Sequence, residues 1–224
     1  MNEHCILRYP CKANKDNTIQ IHVSYIMILS FDVGIKNLAY ALFEFNNDCI
    51  HVKELESIDL SKNGHIDTKD IESLTKSIIE TVHDRFGKLQ LDHVVIENQP
   101  ALKNPSMKSV QVTLYTLFML RKVQHKDTDQ RVNNVRLYSA MNKLKISKLL
   151  PTQVIHEIET NESVKGIKSD YARRKKLSIE ICMHLIKNGK VTLDDDLFSK
   201  LERSKKRDDL CDAILQGVHF VNAL

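Results

Sequence analysis

Acidic side chains that close apolar segments are the residues best placed to do chemistry in this chain. Asp32 follows the run Met27-Ile28-Leu29-Ser30-Phe31 and stands two residues before Gly34; Glu97 follows Leu91-Asp92-His93-Val94-Val95-Ile96. Asp209 and Asp212, three positions apart, share a side of a helix whose apolar stripe is Leu210, Ala213, Ile214, Gly217, Val218 and Val221. Asp208 points away from that stripe and is the weaker candidate. A carboxylate at the end of a buried strand is fixed on rigid backbone, which suits a metal ligand or an acid/base group. Like charges gathered in one place repel unless cations neutralise them. Hard divalent ions, Mg²⁺ or Mn²⁺, prefer such oxygen ligands. Two ions about 3.5–4 Å apart can activate a water and stabilise a leaving oxygen in phosphodiester cleavage. An acid ending a strand, or two acids on a helix face, is ordinary by itself; the ordered combination is not.

The elements that must position these groups follow from the hydrophobic pattern. Residues 27–31 read as a buried strand that turns at Gly34 into a second strand over 38–45, a hairpin with an acid at its head. Cys49 to Leu60 gives a third strand, and Asn63-Gly64 a turn. Thr68 to Phe86 carries Ile71, Leu74, Ile78, Ile79, Val82 and Phe86 at helical spacing, with Asp67 or Thr68 able to cap it and Gly87 able to stop it. Residues 91–97 form a fourth strand and 135–140 a fifth. Between them a helix capped by Asn104 and Pro105 runs from Ser106 to Lys122, apolar on much of its surface, as a buried helix or a dimer interface would be. Residues 151–169 read as a mobile loop, Asp170 to Lys187 as a helix with a basic start, and Asp194-Asp195-Asp196 as a solvated turn and cap. The last helix begins near Arg207. The fold class is α/β, a mixed five-stranded sheet flanked by helices.

Composition narrows the function classes. The 224 residues are 42% hydrophobic, enough for one domain with a real core, and no apolar run reaches membrane-spanning length. Five cysteines lie scattered without CxxC spacing, which argues against a disulfide framework or zinc site and for a reducing compartment. The ten histidines form no HxxxH or HxH array, and neither GxSxG nor a P-loop is present. The net charge is only +4, yet basic residues cluster: Arg173, Arg174, Lys175 and Lys176 open one helix, and Arg203, Lys205, Lys206 and Arg207 precede the last. Such clusters supply the phosphate-neutralising surface that nucleic acid requires. Lys103 and Lys108 flank a helix N-terminus that suits a phosphate, although a plain capped helix explains them as well. Residues 1–26 are neither a secretory signal nor a good transit peptide, and are expected to be a strand-forming extension or a disordered arm before a domain spanning 27–224.

The ordered set Phe31-Asp32-Val33-Gly34-Ile35-Lys36-Asn37-Leu38-Ala39, Val95-Ile96-Glu97-Asn98-Gln99 and Lys206-Arg207-Asp208-Asp209-Leu210-Cys211-Asp212-Ala213 resembles the RuvC-like Holliday junction resolvases. The poxvirus branch is the nearest in pattern, with the yeast mitochondrial resolvases as cousins. The resemblance spans residues 27–224. It implies an RNase H-like fold, a homodimer and an Mg²⁺-dependent endonuclease (Mn²⁺ as an alternative, two ions per site) that resolves four-way DNA junctions by paired nicks. Neither a membrane nor a small-molecule cofactor enters that reading. Position by position it makes Asp32, Glu97, Asp209 and Asp212 the metal-binding carboxylates. It also implies an active-site lysine on a helix start, matched here to Lys176 with Lys175 a near-tie, and DNA contact by Gln99. In the poxvirus branch the work lies in the host cytoplasm. Three other readings stay open: an RNase H-like nuclease for other branched or hybrid substrates, a phosphate-binding ATPase on a related fold, and a non-catalytic DNA-binding module. The ATPase would need further glycine-rich phosphate loops, and the chain has six glycines in all.

Overall fold

The structure is a computed structural model, and the residues it describes are 25–46, 49–61, 70–102, 104–125 and 128–224. Its centre is one mixed sheet. Strands β1 (Ile26–Asp32), β2 (Leu38–Asn46) and β3 (Cys49–Ile58) form an antiparallel meander. Strand β4 (Leu91–Asn98) lies parallel to β1 on its other side, and β5 (Val132–Ser139) lies parallel to β4. The turn from β1 to β2 needs Gly34, because a Cβ there would stand 2.5 Å from the Asn37 carbonyl oxygen.

The pleat sorts side chains onto two faces. Leu29, Phe31, Leu38, Tyr40, Leu42, Val94 and Ile96 face one layer, built from α1 (Ile71–Thr81) and α2 (Pro105–Gln124). Phe31, Tyr40, Phe86 and Phe118 form its aromatic centre; the Tyr40 and Phe86 rings meet edge-on at 4.9 Å. Asp70 caps α1 by accepting from the Ser73 N–H, and a single π-helical turn, Val82–Phe86, ends it. Asn104 caps α2 in the same way, accepting from Met107 N–H at 3.2 Å. The opposite face, Ile28, Ala39, Ala41, Phe43 and Val95, packs against α6 (Asp170–Lys187) and α8 (Arg207–Val221). Helix α8 is buried along most of its length, and it comes so close to β2 that a Cβ on Gly217 would overlap the Phe43 ring at 2.3 Å. The small Ala39 and Ala41 beneath it allow the same approach.

Two features depart from the pattern reading. The sheet has a sixth strand, β6 (Val191–Leu193), parallel to β3, giving the order β5-β4-β1-β2-β3-β6. Three residues are too short to show alternation in sequence. Second, residues 151–169 are largely helical, with α4 (Thr152–Thr160) and α5 (Glu162–Lys165) following the short α3 (Asn142–Lys145) and a 3₁₀ turn. Helix α4 fully buries no residue, but Val154, Ile155 and Ile158 are half-buried on one side and Ile158 packs against the core. The acidic run at 194–196 is solvent-exposed and caps a helix as read: Asp194 stands at the N-cap and Asp195 and Asp196 in the first turn of α7 (Asp195–Arg203). The expected turn at Asn63-Gly64, the caps Asp67 and Thr68, and the N-terminal extension up to residue 24 lie outside the described residues.

Candidate active site

Asp32 and Glu97 are brought together by strand register. Phe31 pairs with Ile96 across the parallel β1–β4 ladder, so the acids follow side by side at its end. Both have the pleat parity that faces α8: Asp32 that of Ile28, Glu97 that of Val95. Helix α8 supplies Asp209 and Asp212 from its first turns. One cation collects most of this set. Lys143, on α3 just beyond β5, is 5% exposed; its ammonium donates to Asp32 Oδ1, to Glu97 Oε1 at 3.0 Å and to Asp212 Oδ2 at 3.4 Å.

The remaining oxygens are also held. Glu97 Oε2 accepts from the Val33 N–H at 3.3 Å and from Gln99 Nε2 at 2.5 Å. Gln111, buried on α2, accepts from the Gln99 N–H at 2.9 Å and from Lys108 Nζ at 2.8 Å; Lys108 also reaches Asn98 Oδ1 at 3.2 Å. Asp212 Oδ1 accepts from the Ser178 hydroxyl of α6. Lys175, one turn earlier on α6, donates to Asp208 and lies 3.7 Å from Asp209 Oδ1, with its ammonium 5.2 Å from the Tyr171 ring centre.

Crowding shows in the acid–base properties. Burial pushes the Asp32 carboxyl up to about 7; the Lys143 charge opposes this and the Glu97 charge adds to it. Burial, with the charges of Asp208 and Asp32, raises Asp209 to about 6. Asp212 is raised by burial against the pull of Lys143. Burial alone would lower the Lys143 ammonium, but Asp32, Asp212 and Glu97 outweigh it and keep it a cation. For Asp208 burial is likewise outweighed, and Lys175 holds that carboxyl low.

Among the described residues no three acid, histidine or cysteine side chains already form a metal-ligand sphere. The point on which Asp32, Glu97 and Asp212 converge is held by Lys143. Three carboxylates reaching one ammonium show that this donor set can close on a cation, and all-oxygen ligation fits a hard divalent ion. The residues fit Mg²⁺ or Mn²⁺, provided Lys143 yields oxygens to it.

The structure redistributes the basic candidates. Lys176 is paired with Glu180 at 2.8 Å one turn along α6, while Lys175 is the lysine that faces the acids. Lys108 is turned inward onto Gln111, and Arg207 is turned back onto the Leu201 and Glu202 carbonyls, so neither is a free phosphate contact. Arg173, Arg174, Lys205 and Lys206 are exposed near the acid-bearing end of α8. Lys103 lies outside the described residues. Sequence reasoning missed Lys143 and Ser178. Lys143 lies on a four-residue helix beside Lys145 and Lys148, where no period marks one lysine as buried. Ser178 had a readable signal, since it falls on the inward stripe of α6 with Ile181 and Cys182.

Comparison with solved structures defines the class. The yeast mitochondrial Holliday junction resolvase Ydc2 matches with a TM-score of 0.58 at 16% identity, over 87% of this chain and 78% of that one. The fowlpox virus resolvase in complex with substrate Holliday junction DNA matches with a TM-score of 0.52 at 20% identity, over 88% and 98%. Thermus thermophilus RuvC matches with a TM-score of 0.52 at 9% identity, over 88% and 96%. The fold is therefore RNase H-like. A sequence model of the poxvirus A22 protein family matches residues 26–168, and the chain belongs to that family. The matched segment contains Asp32, Glu97 and Lys143; α6 and α8 lie beyond it. A curated relative, the uncharacterized protein L451 of Acanthamoeba polyphaga mimivirus, is 34% identical over 143 residues, 64% of this chain. The chain spans 32% of that relative's length.

Proposed function

We propose that this protein is a divalent-metal-dependent endonuclease that resolves four-way DNA junctions by paired, symmetric nicks. The observation that carries the reading is the convergence of Asp32, Glu97 and Asp212 on one cation at the strand ends of an RNase H-like sheet. Membership in the poxvirus A22 family, and the fold shared with junction resolvases, support the substrate class. Bound Mg²⁺ or Mn²⁺ would supply Lewis-acid activation of a water and charge stabilisation at the leaving oxygen. The chain's own residues do the rest. Asp32, Glu97, Asp209 and Asp212 provide the oxygens, and Gln99 and the Val33 N–H orient Glu97. Ser178 orients Asp212. Lys175 sets positive charge beside Asp209, where a phosphate approaching the acids would meet it. Arg173, Arg174, Lys205 and Lys206 carry the flanking backbone.

The homodimer belongs to the same proposal. One side of α2 leaves Val112, Leu120 and Val123 at 49, 49 and 67% exposure, a surface that a second copy would cover. Two sites related by a twofold axis would cut symmetric strands.

The test is a synthetic four-way junction beside matched linear, splayed and RNA–DNA duplexes, with and without Mg²⁺, the cuts mapped on all four strands. Paired nicks confined to the junction, lost with EDTA and in Asp32→Asn, are expected. Lys175→Ala should lower the cleavage rate at least tenfold, and Lys176→Ala should leave it near wild type. Equal cutting of every substrate would remove the junction preference and leave a general RNase H-like nuclease. DNA binding without any cutting would overturn the enzymatic reading.

A further inference from the structure

Beneath the acids lies a polar group that the proposed chemistry does not use. Gln216 of α8 is fully buried, and its Nε2 stands 3.1 Å from Ser30 Oγ, 3.0 Å from the Phe31 carbonyl oxygen and 3.4 Å from the Val95 carbonyl oxygen. A core position filled by an amide is costly unless its hydrogen bonds return the loss. Here even the return is incomplete, because Gln216 Oε1 is buried without a partner. An apolar side chain would fill the position at lower cost, so packing does not account for the amide.

Its partners do. Ser30 lies two residues before Asp32 on the same face of β1, and Phe31 adjoins Asp32. Val95 lies two residues before Glu97 on the same face of β4. Gln216 follows Asp212 by four positions and Asp209 by seven, on one side of α8. The three acid-bearing elements thus meet at a single amide one layer below the carboxylates. The helix can otherwise rotate or slide on an apolar face, since hydrophobic contact is non-directional. Directional hydrogen bonds to both strands forbid it.

We propose that Gln216 is a positioning residue that sets the height and rotation of α8 over β1 and β4, and thereby the spacing of Asp209 and Asp212 from Asp32 and Glu97. The inference rests on reading these acids as a divalent-metal site. Groups that orient metal ligands at one remove commonly govern metal affinity by about 10–100-fold.

The test compares Gln216→Met, which keeps volume and removes the donors, with Val218→Ala, a cavity-forming change elsewhere in the same buried helix. Thermal stability and Mn²⁺ affinity, the latter by electron paramagnetic resonance without DNA, are measured for both. Gln216→Met is expected to lower Mn²⁺ affinity at least tenfold, while Val218→Ala lowers melting temperature by a similar or larger amount and keeps wild-type affinity. Ser30→Ala, which deletes one partner, should lower affinity several-fold and serves as the deciding variant if Gln216→Met does not fold. Wild-type Mn²⁺ affinity in Gln216→Met, or in Ser30→Ala when that variant decides, overturns the inference. So do losses of affinity that merely track stability in all the variants. A wild-type protein that binds no Mn²⁺ overturns the metal-site reading itself. One that binds Mn²⁺ but leaves a four-way junction uncut overturns the proposed activity and leaves the role of Gln216 standing.

Discussion

Lys143 is a cation that three carboxylates compete for, and one positive charge cannot neutralise three negative ones. Removing it should therefore hurt most when no metal is present. Lys143→Met is expected to cost the metal-free protein about 3–5 kcal/mol near neutral pH, the penalty of buried charge left without its partner. Millimolar Mn²⁺ should recover much of that loss, and thermal melts with and without metal check it. The same excess of negative charge has a pH signature. Asp32 titrates near 7 and Asp209 near 6 in the folded protein, against an ordinary value of 3.8. Between pH 4 and 7 the folded state therefore holds protons that the unfolded chain has released. Stability from these groups is fullest below about pH 4 and falls as pH rises toward 7, by on the order of a few kcal/mol. Divalent cations bound as proposed would replace those protons, so the rise in melting temperature on adding Mn²⁺ should be larger at pH 7.5 than at pH 5. A rise that is equal at both pH values would contradict the assignment.

At the scale of elements, the site depends on how closely α8 lies on the sheet. Gly217 against the Phe43 ring is the contact that sets this distance. Gly217→Ala inserts a methyl where none fits and should destabilise by about 1–3 kcal/mol. Because the added methyl lifts the helix that carries Asp209 and Asp212, metal affinity should fall as well, which calorimetric Mn²⁺ titration would detect. The acid-bearing elements were legible in sequence because each couples a strong hydrophobic pattern to an acid at a fixed phase: β1 and β4 as largely apolar segments ending on an acid, α8 as a stripe. What escaped had no such phase. Strand β6 is three residues long, and α4 is only nine residues long with no fully buried side chain. Lys143 is buried only because distant β1, β4 and α8 surround it, a fact no local pattern carries. The near-tie between Lys175 and Lys176 has a related origin. Adjacent positions on a helix differ by about 100° in direction, and only the placement of α6 against α8 selects between them.

At the scale of the whole molecule, the proposed paired cutting requires two copies, and the exposed apolar side of α2 offers a surface for the second. Val112→Lys combined with Val123→Lys should leave the fold intact, since both side chains are exposed. Sedimentation velocity should then report a monomer, and nick mapping should show single unpaired cuts at a reduced rate. A dimer that persists, or paired cuts from a monomer, would move the interface elsewhere. Ser30 and Gln216 are 186 positions apart, and the acids of the first strand wait for those of α8 across almost the same span. During synthesis the early strands emerge long before the helix that covers them. A nascent or prematurely terminated chain ending before Arg207 holds Asp32 and Glu97 but neither the remaining carboxylates nor the helix that closes the core. With half of the acid set and that helix missing, the proposed cleavage would begin only once α8 has been made and has packed.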